Sequence, residues 1–173
     1  GYVKFNERDA ALYFKNGSIL SFLYCDKHED LEHIQGQAYD LMGIEESTQF
    51  DEHYIHVMTS SCRVSTIASA AGTKYPNKIL QTFNWGGQSH DYHRRVFWDG
   101  EFEKNERKDD YFFVFAPMES NTVLMESTPQ YKQQLMKLSK QYRQAWIKGD
   151  PDAFTGTVFR IVDTFHIVDQ DKI

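Results

Sequence analysis

An α/β layered domain with a mostly parallel sheet is the fold class this sequence predicts. Two observations point there. Short apolar runs of strand length alternate with stretches whose apolar residues recur every three to four positions. The runs at 39–44 (YDLMGI) and 78–84 (KILQTFN) also end in polar residues, Glu45-Glu46 and Asn84. Ligands in parallel sheets gather at such carboxyl ends of strands.

The elements follow in order. Residues 2–24 predict a hairpin, because Asn16-Gly17 sits between apolar runs and favours a tight turn. The polar stretch 26–36 predicts a short helix closed by Gly36, and 39–44 is too brief an apolar run for anything but a strand. From Ser47 the period becomes helical, with Phe50, Tyr54, Val57, Met58 and Cys62 on one face. Ser47 or Thr48 is the expected cap, and Asp51 and Glu52 suit the first turns. The strand at 78–84 runs into Trp85-Gly86-Gly87, 100–110 predicts a solvated loop, and 111–117 a third buried strand. A long helix is expected over 128–148, capped by Thr128, with Pro129 in its first turn and Gly149 past its end. Tyr131, Leu135, Leu138, Tyr142 and Trp146 form its buried stripe, and 156–169 is strand-like.

Composition narrows the function. The 173 residues suit one domain, or one with a short appendage, and 40% hydrophobic with 15% aromatic residues is ample for a core. A net charge of −6 argues against extensive wrapping of nucleic acid, while leaving room for a small basic patch. Cys25 and Cys62 do not make a disulfide framework and read as unpaired thiols in a reducing cytosol. No apolar run reaches the length of a bilayer span. The chain opens at Gly1 within a strand-like pattern, which predicts a fragment of something longer.

Adjacent carboxylates at the end of a buried strand are what a nucleoside triphosphatase needs. One holds Mg²⁺, directly or through water, and the next polarises the water that attacks the γ-phosphate. Asn84, one strand over, is placed to sense that phosphate. Glu45 and Glu46 equally suit the start of a helix, where carboxylates meet the positive end of the dipole. His53 with His56, and His90 with His93, have the spacing to share a metal but lack further ligands in sequence, and read rather as helix-surface or interface residues. Ser89, His90 and Asp91 are adjacent, so they cannot form a hydrolytic triad by themselves, and no nucleophile elbow supports one.

The succession of NGS, the strand into Glu45-Glu46, a helix ending in SSCR, QTFN, NWGGQSH, RRVF, YKQQL and GDPDAFTGTVF resembles the large terminase subunit of tailed bacteriophages over about residues 13–160. This resemblance implies a sheet of the P-loop NTPase type with flanking helices and an N-terminal hairpin. LMGIEE is similar to the family's Walker B strand, with Glu46 as catalytic glutamate and Glu45 on the Mg²⁺ side, where aspartate is usual. QTFN is similar to its coupling motif, with Thr82 and Asn84 as polar members. NWGGQSH departs from the Asn-Pro-Gly-Gly-x-x-His pattern by placing Trp85 where proline is usual. Arg63 matches an arginine that contacts phosphate or a neighbouring subunit, and is equally an ordinary surface arginine.

No G-x-x-x-x-G-K-[ST] loop occurs in the sequence, so the phosphate cradle is not among these residues. The resemblance therefore implies that 1–160 is the C-terminal part of an ATPase domain and 161–173 the lead into a nuclease domain. It implies ATP and Mg²⁺ as cofactors, and an ATPase, inactive as this chain alone, whose parent is also an endonuclease. Double-stranded DNA, the portal protein, the small terminase subunit and a homo-oligomeric ring are the implied partners, in the cytoplasm of an infected bacterium. The alternative is a free-standing, non-catalytic binding or assembly module of the same fold.

Overall fold

The computed structural model describes residues 3–63 and 77–154. The strand-like stretch 156–169 and the 160/161 domain boundary lie outside them. The fold is mixed α/β, in two compact units: Gly1–Met42 with His56–Ile79, and Gly43–Ile55 with Leu80–Ile173. The mostly parallel sheet expected is not what the described residues form: three strands are antiparallel and only one pair is parallel.

The first unit begins with three antiparallel strands in sequence order, β1 (Val3–Asn6), β2 (Ala11–Phe14) and β3 (Ile19–Ser21), a meander where a single hairpin was expected. The additional reversal comes at 7–10, where Ala10 takes a positive φ of 45°. The second turn is the expected one: Gly17 has φ +87°, and the Phe14 N–H donates to the Ser18 carbonyl at 2.9 Å. Helix α1 (His28–Ile34) buries Leu31 and Ile34 and is followed by Gly36 at φ +81°. The Ser61 hydroxyl, buried, donates to the Ile34 carbonyl at 3.1 Å.

β4 (Leu41–Ile44) and β5 (Lys78–Gln81) pair with each other. Lys78 N–H donates to the Asp40 carbonyl and Thr82 N–H to the Ile44 carbonyl, so the numbers rise together and the pair is parallel. β5 stops at Gln81, three residues before the predicted end. Helix α2 (Glu52–Ser60) starts later than expected. Asp51 Oδ1 takes the His53 N–H at 2.8 Å, which is the capping role assigned in the sequence to Ser47 or Thr48. Those two are instead fully buried in a 3₁₀ turn at Ser47–Gln49.

In the second unit, α3 (His90–His93) continues into a π-helical stretch, Arg94–Asp99. The expected buried strand over 111–117 forms no ladder. Its alternation survives as one-sided packing: Phe113 stacks 5.9 Å from Phe83, while Phe112 is 87% exposed. The loop 100–110 is largely exposed, as expected, with Phe102 and Glu106 half-buried; Glu106 folds back to accept two hydrogen bonds from Arg95, at 2.7 and 3.1 Å.

The single helix expected over 128–148 is broken. α4 (Thr122–Ser127) and α5 (Gln130–Leu135) precede α6 (Lys140–Ile147). The break lies at 136–139, where i→i+3 bonds from Lys137 and Leu138 tighten the end of α5 and Ser139 caps α6 by accepting from Tyr142 N–H. Gly149 does sit past the last turn, at φ +66°. Of the expected stripe, Leu135 is buried, Tyr131, Leu138 and Trp146 are half-buried, and Tyr142 is exposed.

Candidate functional site

The carboxyl ends of β4 and β5 emerge side by side in the second unit. Beyond β4 the chain turns sharply at Glu46, a non-glycine residue in the left-handed region at φ +53° and ψ 42°. That conformation costs a side-chain-bearing residue on the order of 1 kcal/mol and persists only where neighbours enforce it. The enforcing bonds come from the continuation of β5. Thr82 Oγ1 accepts the Glu46 N–H at 3.3 Å, and the Thr82 carbonyl accepts the Ser47 N–H at 2.9 Å. Two residues on, the Thr48 hydroxyl donates to the Asn84 carbonyl at 2.9 Å.

Glu45, Glu46, Thr82 and Asn84 are thus on one sheet edge, and all four are exposed. Hydrogen bonds to Thr82 and Asn84 hold the turn and leave the carboxylates in solvent, an arrangement that could take a hydrated cation. Arg63 belongs to the first unit, where its guanidinium donates to the Gly36 carbonyl at 3.3 Å.

Gly86 and Gly87 form the next layer. Gly87 has φ +98°, and a Cβ there would collide with the Thr48 carbonyl, so the backbones touch at a distance only glycine permits. Ser89 N–H, one turn on, donates to the same carbonyl at 3.2 Å. Trp85, in place of the family's proline, is a core residue. Its indole N–H donates to the Gly149 carbonyl at 2.8 Å, and its ring lies edge-on to Phe83, His90 and Trp98. A cleft of ≈ 580 Å³ opens beside Glu46, walled by Gln49, Gly86, Gly87, Trp85, Tyr142 and Trp146.

His90 and His93 are buried, not the helix-surface or interface residues expected. His90 Nδ1 accepts the Gly86 N–H at 3.1 Å, and burial pushes its pKa down. His93 is sealed completely, with Nε2 2.7 Å from Ser47 Oγ and Nδ1 2.8 Å from the Ser89 carbonyl. Burial lowers its pKa to about 4, with the neighbouring His90 acting in the same direction and the Ser89 carbonyl and Glu52 opposing. Ser47 and His93 are both fully buried, so this pair cannot serve as a nucleophile and base for an external substrate. Among the described residues, no three of His, Cys, Asp and Glu come together as a metal cluster.

Ser47 and His93 are the site residues the sequence reading missed. A signal for His93 was present: with Ser89, Tyr92 and Val96 it falls at helical spacing among residues that prove buried.

A family model described as "Phage terminase large subunit" matches residues 1–151. No curated protein and no solved structure matches the chain.

Proposed function

The chain belongs to the phage terminase large subunit family, and we propose that it carries the carboxylate half of a packaging ATPase. In this reading, ATP hydrolysis drives double-stranded DNA into a procapsid. Glu46 polarises the attacking water, Glu45 holds Mg²⁺ directly or through water, and Thr82 and Asn84 sense the state of the γ-phosphate.

The observation that supports this best is the Thr82–Glu46 junction. A strand that merely preceded a helix would have no need to tie a left-handed glutamate to Thr82 Oγ1 and the residue after it to the Thr82 carbonyl. The alternative, that the two glutamates serve a helix dipole, has little to act on: Glu46 precedes only the single 3₁₀ turn at Ser47–Gln49, without a side-chain cap bond, and α2 begins at Glu52 with Asp51 accepting the His53 N–H. The residues fit a hydrated Mg²⁺ in donor chemistry: two exposed carboxylates on consecutive residues beside a threonine. ATP with its metal would supply the phosphoryl group to be transferred. The chain's part is to hold a carboxylate where water approaches and to register the loss of the phosphate along β5. A P-loop Ser or Thr and lysine would come from outside these residues, and Arg63 is a contact for phosphate or for a neighbouring subunit.

Steady-state ATPase assays on the full-length protein, with Mg²⁺ and with or without double-stranded DNA, test the reading. Mg²⁺-dependent hydrolysis stimulated by DNA is expected. A full-length protein that binds DNA and portal protein without turning over ATP would defeat it.

A further inference from the structure

His93 is outside every motif on which the proposed function rests, yet it touches both halves of the site. Its Nδ1 faces the Ser89 carbonyl oxygen at 2.8 Å, an atom that can only accept, so the ring proton belongs on Nδ1. Nε2 is then the acceptor, and the Ser47 hydroxyl 2.7 Å away donates to it. Gln81 Oε1 is placed 3.1 Å from the same nitrogen; since Nε2 carries a lone pair in this tautomer, that contact is a hydrogen bond only with the amide turned over, its NH₂ toward the ring. The Phe83 ring is tilted over the imidazole, 4.6 Å between centroids. Ser47 directly follows Glu46, and Gln81 and Phe83 flank Thr82. One imidazole therefore contacts the residue after the carboxylate and both neighbours of the threonine that pins it.

A core needs no such network for stability. Buried polar clusters exchange for apolar packing at little net cost, but fully satisfied ones impose a single geometry. The left-handed Glu46 is a residue that requires one imposed.

We propose that His93 is a positioning residue: through the Ser47 hydroxyl it holds the Glu46 turn in the conformation that aims the carboxylate, in register with Thr82–Asn84. This rests on Glu46 being the residue that polarises water.

The test is steady-state ATPase kinetics of the full-length protein carrying His93→Phe, His93→Gln, Ser47→Ala or the His93→Phe/Ser47→Ala pair, beside Glu46→Gln. His93→Phe and Ser47→Ala should each lower kcat by about 10- to 100-fold while the KM for ATP stays within about twofold. The double variant should fall no further than the worse single one, because both remove the same bond. His93→Gln, whose side-chain carbonyl can accept from Ser47, should recover part of the loss. Losses that multiply, an unchanged kcat, or a KM that rises while kcat holds would overturn the proposal. Should His93→Phe melt below the assay temperature, Ser47→Ala, which removes one oxygen, decides by the same criteria. An inactive wild type, or a fully active Glu46→Gln, defeats the ATPase reading instead. An active wild type with dead Glu46→Gln and unaffected Ser47→Ala defeats this proposal alone.

Discussion

Thr82 accepts the backbone N–H of Glu46 through its hydroxyl at 3.3 Å and that of Ser47 through its carbonyl at 2.9 Å. A single residue at the end of β5 thereby fixes the turn at the end of β4. In the proposed ATPase, a shift of β5 on loss of a phosphate would pass to the Glu46 turn through these two bonds. These hydrogen bonds tie the two strand ends together.

Thr82→Val keeps the shape of the side chain and deletes the bond from Oγ1 to Glu46. The freed N–H belongs to an exposed residue and can turn to water, so the loss of stability should be about 1 kcal/mol or less. Activity should suffer more, since the left-handed turn loses one of its restraints. A thermal melt and an ATPase assay on the full-length variant check both halves. A variant with a normal melt and normal turnover would show that the bond is incidental.

Gly87→Ala tests the close approach of the glycine turn to the site. The new methyl meets the Thr48 carbonyl, which is backbone and cannot rotate away, and the φ of +98° is itself strained for alanine. A loss of about 2–4 kcal/mol is expected, measured by urea unfolding. Gly17→Ala, with nothing near its Cβ and φ +87°, should cost only the conformational share, about 1 kcal/mol. Equal losses at the two positions would contradict the close approach.

Stability should also fall on acidification in a defined window. The unfolded chain takes a proton on His93 as pH drops below about 6.5, whereas the buried ring refuses it until about 4. Between those values the unfolded state binds more protons, so stability declines as pH falls and this contribution levels off below about 4. The shift corresponds to about 3 kcal/mol at full extent. His90, also lowered by burial, adds in the same direction, and Glu52 acts on His93 in the opposite one. Urea unfolding at pH 7, 5.5 and 4.5 reads the slope, and His93→Phe should remove the larger part of it. A slope unchanged in that variant would place the acid sensitivity elsewhere.

Much of the site was legible because its signals are local. Asn16-Gly17 dictates a turn whatever surrounds it, and the short apolar run before Glu45 does form a strand; it is not the buried strand expected, since of β4 only Ile44 is buried and Leu41 is exposed. Ser47 and Thr48 misled because the same hydroxyl that caps a helix can bond a distant backbone. Here Thr82, Asn84 and His93 outcompeted the helix start. The long helix over 128–148 broke for a similar reason: continuous period does not reveal that Ser139 will cap a second helix. Phe113 and its neighbours show the reverse case, a strand pattern with no ladder, since alternation records which side is buried and not whether a partner is paired. The spacing of His93 with Ser89, Tyr92 and Val96 marks a buried face, but a histidine on such a face fits a ligand as well as a buried acceptor, so its partner was not legible.

If Glu45 and Glu46 divide the work as proposed, paired amide substitutions in the full-length protein separate their roles. Glu46→Gln keeps shape and hydrogen bonding but loses the charge that polarises water, so ATP should still bind while turnover falls about 100-fold or more. Glu45→Gln should instead weaken Mg²⁺-dependent nucleotide binding, because in the proposed site its charge would face the metal. Both side chains are exposed, so neither melt should shift by more than about 1 kcal/mol. The deciding measurement is the DNA-stimulated ATPase rate of Glu46→Gln at saturating ATP. A rate reduced to about 1% or less of wild type with nucleotide affinity retained is the predicted result, and a rate near wild type would contradict the assignment of the catalytic carboxylate.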